Sequence, residues 1–303
     1  MADDRRSLAE SVEGTATGDF RLLDWGQLAL SAVIFGSSFL WIALALRSLS
    51  PGLIAFGRVV LGAAVVVAIP AARKAIARPD WARMVVASVL GMAAPVFLFA
   101  LAEQRVSSAL TGMLVAGIPV MTAAVAAILT RTLPSRPRVA GLAVGFAGIV
   151  LLAAPEMGSA GAQAVGVLMV LAGVLSYSIA GILYAPLQQT YGSMPVTLWL
   201  LLLGMVFLAP LGLIGMPSSS FEALSVTALL ILGIIGTGAV WGLFVGLLGR
   251  VGAVRASLVG YLIPIVALIL GVLVLDESVA IIQVLGVLVA IAGGYLVSRG
   301  TET

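Results

Sequence analysis

RVSSALTGMLVAGIP (105–119) and RVGAVRASLVGYLIP (250–264) decide the fold of this chain. Laid side by side, they pair Arg105 with Arg250, Val106 with Val251, Ile118 with Ile263 and Pro119 with Pro264, each 145 residues apart. The same offset sets Gly141, Val144, Ala147, Gly148 and Leu151 over Gly286, Val289, Ala292, Gly293 and Leu296. Upstream, Gly26 and Ser38 match Gly166 and Ser178 at an offset of 140, the difference being loop length. The chain is a diverged duplication of a unit with five apolar stretches. An odd number of spans per copy turns the second copy over in a bilayer. Inverted repeats of this kind build carriers that alternate access to a midplane site.

Composition agrees with a membrane setting. Of 303 residues, 61% are apolar and 10% charged, and the mean hydropathy is +1.20, which leaves no polar surface for a soluble domain. Apolar runs long enough for one crossing recur at 25–46, 51–72, 82–102, 107–130, 138–154, 164–186, 195–215, 223–247, 254–275 and 279–298. Backbone polar groups must be satisfied internally in lipid, so these runs are expected to be helices. The expected fold is an all-α integral membrane protein of ten transmembrane helices, arranged as two inverted five-helix repeats. The first repeat spans 24–155 and the second 164–299. Residues 1–23 have no apolar core of a signal peptide and are expected to form a disordered cytoplasmic tail.

The pI of 9.7 does not point to nucleic acid, because the charges are sorted by side. Thirteen of the sixteen cations fall on one side of a ten-span arrangement, Arg47 and Arg105 fall on the other, and Arg58 sits inside a span. By the positive-inside rule both termini are expected in the cytoplasm. A single Lys beside fifteen Arg suggests a GC-rich bacterial genome and hence an inner membrane. Lipid and a small-molecule substrate are the expected partners, and the oligomeric state, a monomer included, is left open. The absences narrow the chemistry. No Cys removes disulfides and thiol catalysis, and no His removes the commonest metal ligand and general base, so neither a metal nor a cofactor is expected. Asp and Glu fall in tails, loops and helix ends. A membrane enzyme is therefore a poor reading: no deep carboxylate, His, Cys or metal cluster offers acid, base or nucleophile. Proton relays and cation sites usually use an intramembrane acid. Without one, a neutral or zwitterionic cargo moving down its gradient is expected. Glu103 is the exception to watch, with an outer-interface ion pair to Arg105 as its structural role.

Several segments carry a family resemblance. WGQLALSAVIFGSSFLW (25–41) opens the first half, SPGLIAFGRVVLGAA (50–64) holds an arginine in span two, and Pro119 and Pro264 lie within spans four and nine. LDE (275–277) and the glycine-spaced GVLVAIAGGYLV (286–297) complete the set. Over residues 22–298 the chain resembles the drug/metabolite transporter superfamily, EamA-type branch, and within it is most similar to bacterial aromatic amino acid exporters of the YddG type. The resemblance implies that spans 3, 4, 8 and 9 wall a cavity, spans 1, 2, 6 and 7 act as gates, and spans 5 and 10 are peripheral. It also implies export of small zwitterionic metabolites, aromatic amino acids favoured, by a facilitative alternating-access cycle. Export of amphipathic drugs, organic cations or other metabolites, with or without proton coupling, is the alternative.

Residues fit into that frame by type and spacing. Small residues recur at helical spacing on spans 5 and 10, which suits a packed seam. Pro119 and Pro264 disturb the backbone one turn earlier, near Val115 and Gly260, where loosened carbonyls could coordinate a substrate ammonium or a plain kink could shape the bundle; both prolines are hinge candidates either way. Ser257 and Tyr261 share a face with Pro264, as Gly112 and Ala116 do with Pro119. Phe99 and Phe244 are repeat partners, with Trp241 one turn from Phe244. Tyr177 and Tyr184 lie two turns apart, opposite Ser37 and Ser38. Aromatic rings stack on an aromatic cargo, and hydroxyls bond its polar groups, so these residues are the cavity candidates. Arg58 is a gate candidate with two roles: it snorkels or caps carbonyls, or it counters a substrate carboxylate. Trp25 and Trp81 are expected interfacial anchors, and Trp41 and Trp199 gate or lipid contacts.

Overall fold

The computed structural model describes residues 21–130, 135–157 and 161–299, so the expected tail lies, but for its last three residues, outside the described residues. No strand occurs among them. The first copy comprises α1 (Leu22–Ala45), α2 (Pro51–Val67), α3 (Trp81–Ser88), α4 (Ala94–Ala102), α5 (Ser108–Leu114), α6 (Gly117–Thr130) and α7 (Arg136–Met157). The second comprises α8 (Ala162–Tyr191), α9 (Ser193–Gly215), α10 (Ala223–Gly233), α11 (Val240–Val251), α12 (Ala253–Ala256), α13 (Val259–Leu275) and α14 (Ile281–Arg299). Seven of the helical runs are long and apolar enough to cross a membrane, and three shorter apolar helices complete the set.

Local chemistry explains the starts and breaks. Ser50 accepts from the Leu53 amide (3.3 Å) ahead of Pro51, and Ser107 accepts from the Leu110 amide (3.1 Å). Both satisfy donors that the first helical turn leaves free. The reversals α8–α9 and α11–α12 turn on Gly192 (φ 87°) and Gly252 (φ 86°), a backbone region where a side chain is strained.

Two helices expected to be regular each carry a widened turn. A π turn, Val89–Ala93, joins α3 to α4, and another, Ile234–Ala239, joins α10 to α11. They begin 145 residues apart, at the register offset of the repeat. Side chains take up carbonyls at these distortions: Ser176 Oγ donates to Leu90 O (2.6 Å) and Thr237 Oγ1 donates to Leu232 O (2.9 Å).

The proline breaks also differ from a simple mid-helix kink. The helix stops at Leu114 and restarts at Gly117, so Pro119 lies in the first turn of α6. There its missing N–H costs nothing. Ile118 N already donates to Val115 O (2.9 Å), so that carbonyl is partly satisfied. In the second copy the break falls between Ala256 and Val259, and Pro264 sits inside α13. The two breaks touch: a Cβ built on Gly260 would lie 3.0 Å from Pro119 Cδ.

Packing follows the inverted pseudosymmetry. α1 packs on α13 while α8 packs on α6, and α2 pairs with α9. At the edge, α7 and α14 meet backbone to backbone: Gly148 faces Gly286 O and the Ala290 backbone, and Gly293 faces Gly145. This is the small-residue seam expected for spans 5 and 10. The main core runs between the halves and reaches the seam through Ile149, Leu152 and Ala153 of α7 and Val287 of α14.

Candidate functional site

A cavity opens where the two copies face each other. α1 contributes Phe35, Ser38, Phe39 and Ile42, α2 contributes Arg58, and α4 contributes Phe99. α8 supplies Tyr177, Gly181 and Tyr184, and α11 supplies Trp241, Phe244 and Leu248. The broken spans add Val115, Ile118, Thr122, Ala253, Ser257, Val259 and Ile263. Spans 1, 2 and 6, which the family resemblance assigns to gates, also form wall here, in keeping with the cavity candidates Ser38, Tyr177 and Tyr184 on spans 1 and 6. Spans 5, 7 and 10 contribute none of these residues.

Trp241 is the hub of the aromatic lining. Its ring centroid lies 5.8 Å from Phe35, 5.9 Å from Tyr177, and 6.1 Å from both Tyr184 and Phe244. Phe99 extends the network to Tyr177 (5.7 Å) and Phe39 (5.9 Å). Edge-to-face and tilted contacts at these separations favour each ring by about 0.5–1.5 kcal/mol beyond its buried area. The lining is thus a fixed aromatic box.

Of the residues singled out from the sequence, Ser38, Arg58, Phe99, Tyr177, Tyr184, Trp241, Phe244 and Ser257 line this cavity. Four cavity candidates do not. Ser37 donates to Ile34 O (2.9 Å) one turn back. Gly112 is pressed against Ala267 and Phe39, where the close approach of α5 and α13 leaves no room for a cargo. Ala116 is wholly buried in the break between α5 and α6. Tyr261 places its hydroxyl against Gly294 of α14. Tyr184 is divided: its ring lines the cavity while its hydroxyl packs against Gly91 in the first π turn. Pro119 and Pro264 lie at or near the breaks behind the wall rather than in the lining. Phe35, Phe39 and Ile42 were missed, although they repeat at i, i+4 and i+7 on α1. A helix apolar on every face hides such a stripe.

Arg58 is held inside. It is 4% exposed, so it does not snorkel outward. Its Nε donates to Thr237 Oγ1 (3.0 Å) and its Nη2 donates to Gly236 O (3.4 Å), so the second π turn supplies both acceptors. Carbonyl capping is therefore real, and the rest of the guanidinium remains with the cavity.

Glu103 departs from expectation. Arg105 Nη1 donates to Leu101 O (3.0 Å) instead of pairing with it. Both Glu103 carboxylate oxygens are buried and have no hydrogen-bond partner among the described residues. Burial pushes its carboxyl well above the ordinary range, the Glu277 charge pushes the same way, and Arg58 opposes both. A raised acid pKa means the folded protein keeps a proton that the unfolded chain has released. Stability contributed at this site is then greatest in acid and falls as pH rises above the ordinary glutamate range. Above the ordinary glutamate range, where the lowered Asp24 carboxyl is already ionised and no longer adds stability with pH, Glu103→Gln is expected to lose less midpoint temperature with rising pH than the wild-type protein; identical slopes in thermal unfolding of the two would refute a neutral Glu103.

Two latches tie the copies at opposite ends. At the end that carries Arg21, buried Asp24 of α1 accepts from Arg250 Nη2 of α11 (2.7 Å), and the same nitrogen donates to Gln27. Nearby, Trp81 and Trp199 meet edge-on at 4.8 Å, and their Nε1 atoms donate to Ile76 O and Lys74 O. These two tryptophans serve the protein's own packing. Trp25, by contrast, is half exposed, as an interfacial anchor should be. At the far end Glu277, from the second copy, accepts from the Ser108 amide (2.9 Å) and the Ala109 amide (2.8 Å) of α5. A carboxylate on free helix-start amides is favourable by charge as well as by hydrogen bonding.

Known proteins share this architecture. The model of a family described as EamA-like transporter family matches residues 26–154 and 164–299. A protein of Archaeoglobus fulgidus named an uncharacterized transporter is 27% identical, covering 89% of this chain and 95% of its own. The uncharacterized transporter YoaV of Bacillus subtilis is 27% identical over 64% of this chain and 67% of its own. A solved crystal structure superposes with a TM-score of 0.66 at 18% identity, covering 90% of this chain and 96% of the other, which is a likeness of fold.

Proposed function

Since this chain belongs to the EamA-like transporter family, we propose that it exports small zwitterionic metabolites, aromatic amino acids foremost, by alternating access across a bacterial inner membrane with both termini in the cytoplasm. The observation that carries this reading is the aromatic box around Trp241, set between inverted copies with one buried cation in its wall. Stacking surfaces suit a planar side chain, and the few polar groups orient it. The Asp24–Arg250 pair and the Glu277 cap bracket the cavity at its two ends, as a carrier that opens one end at a time requires. The resemblance to aromatic amino acid exporters of the YddG type, read from the sequence segments alone, supports the same reading.

Counterflow in proteoliposomes tests it. Labelled phenylalanine is expected to exchange without an imposed pH gradient, with tryptophan competing strongly and threonine weakly. If no amino acid exchanges, the cargo assignment fails.

A further inference from the structure

The charge balance of the cavity wall is one-sided. Among the described residues, Arg58 is its only charged member, and no Asp or Glu joins the lining. A guanidinium has five N–H donors, and the protein occupies one with Thr237 and one with Gly236. Trp241 adds another donor: its Nε1 is buried, has no acceptor among the described residues, and belongs to a ring surrounded by other rings. Two of the lining hydroxyls already donate to their own helices, Ser38 to Ile34 O (3.1 Å) and Ser257 to Val254 O (2.6 Å). The wall therefore has donors to spare and no carboxylate for an ammonium; ring faces and neutral oxygens are all it offers one, beside a fixed cation.

Glu103 does not repair this. It lies in electrostatic range of Arg58, but no hydrogen bond or ion pair joins the two, and it is not part of the lining. Its burial favours the uncharged acid. A buried cation without a counter-ion is costly, so the missing negative charge must arrive from outside the protein.

We propose that the cargo's carboxylate is the group this cavity selects, with Arg58 as its partner, and that the cargo's amine is dispensable. The substrate class is then small apolar and aromatic carboxylates, with amino acids as a subset, and organic cations are disfavoured by the Arg58 charge despite the ring faces. This rests on the cavity being the cargo site. Thr237 is the positioning residue, since its hydroxyl holds the guanidinium against the second π turn.

Calorimetric binding to the purified full-length protein provides the test, with phenylalanine, phenylpropionate, phenethylamine, hexanoate and hexylamine as probes. Phenylpropionate is expected to bind within about tenfold of phenylalanine, and phenethylamine not to bind, because only the carboxylate can accept from the charged guanidinium, and such a bond is stronger than one between neutral groups. In Arg58→Gln both carboxylates should weaken roughly tenfold to a hundredfold, the range for losing a charged hydrogen-bond partner. Amine binding equal to that of phenylalanine, or carboxylate binding that ignores Arg58→Gln, would overturn the proposal. So would failure of every carboxylate to bind the wild-type protein. Hexanoate binding without any aromatic ligand would uphold it while removing the aromatic part of the proposed function. The wild-type comparison of acids with amines decides the matter even if the variant does not fold.

Discussion

Arg250→Ala is expected to open the end of the cavity that carries Arg21. The wild-type pair is short, at 2.7 Å, and its acid is buried, with the Asp24 side chain only 4% exposed. Removing the guanidinium leaves a buried carboxylate whose remaining cation, Arg21, is exposed and 3.7 Å away. Breaking a buried pair by one partner costs about 3–5 kcal/mol, and allowing for partial exposure of Arg250 reduces this to about 2–4 kcal/mol. The loss applies only while this end is closed, because opening hydrates Asp24. The closed-to-open ratio should therefore shift by roughly thirtyfold to a thousandfold. The chain has no cysteine of its own, so Thr122→Cys in the cavity wall makes a clean reporter. An impermeant thiol reagent applied from the Arg21 side should label it faster by about that factor, up to the limit set by full opening. Unchanged labelling would mean the pair is not a latch.

Glu277→Ala should act at the other end with the opposite sense. The wild-type carboxylate caps two amides at the start of α5 and joins the second copy to the first. Hydrogen bonds to a charged group contribute about 1.5–3 kcal/mol each, and water replaces part of that in the open form. A shift of roughly tenfold to a hundredfold toward opening at the far end follows. The same Thr122→Cys reporter should then label faster from the far side and no faster from the Arg21 side. Combining Arg250→Ala with Glu277→Ala should restore much of the original balance between the two ends, since each change favours a different open form. Equal labelling from both sides in the single variants would instead indicate general loosening.

Much of the architecture was legible in the chain because its causes are periodic or additive. Ten apolar runs, sided cations and a 145-residue echo each survive averaging over many residues. The seam of Gly148, Gly286 and Gly293 was legible for the same reason, since close helix contact needs small residues at fixed spacing. Phe99, Tyr177 and Trp241 were readable as aromatic residues on walls. The contacts that decide chemistry were not readable, because they depend on pairs distant in the chain. Arg58 meets Thr237 across the repeat boundary, and Asp24 meets Arg250 across nearly the whole chain. Neither pairing leaves a mark at helical spacing. Glu103 misled for a related reason: a helix-end position reads as exposed, yet the neighbouring spans close over it. Tyr261 lies on the face of Pro264, but the close pass of Gly294 drew its hydroxyl to the opposite side.

The paired π turns act as phase shifters. An α-helix advances about 100° per residue, so one residue accommodated in a widened turn rotates everything beyond it by that angle relative to an unbroken helix. Phe99 lies beyond the turn at Val89–Ala93, and Trp241 and Phe244 lie beyond the turn at Ile234–Ala239. Wound as a plain α-helix from the same starting point, this sequence would turn those rings about a quarter of a circle away from the cavity. Their direction is thus encoded in the winding of the backbone, at Gly91 and Gly236, and not in the order of apolar and polar letters.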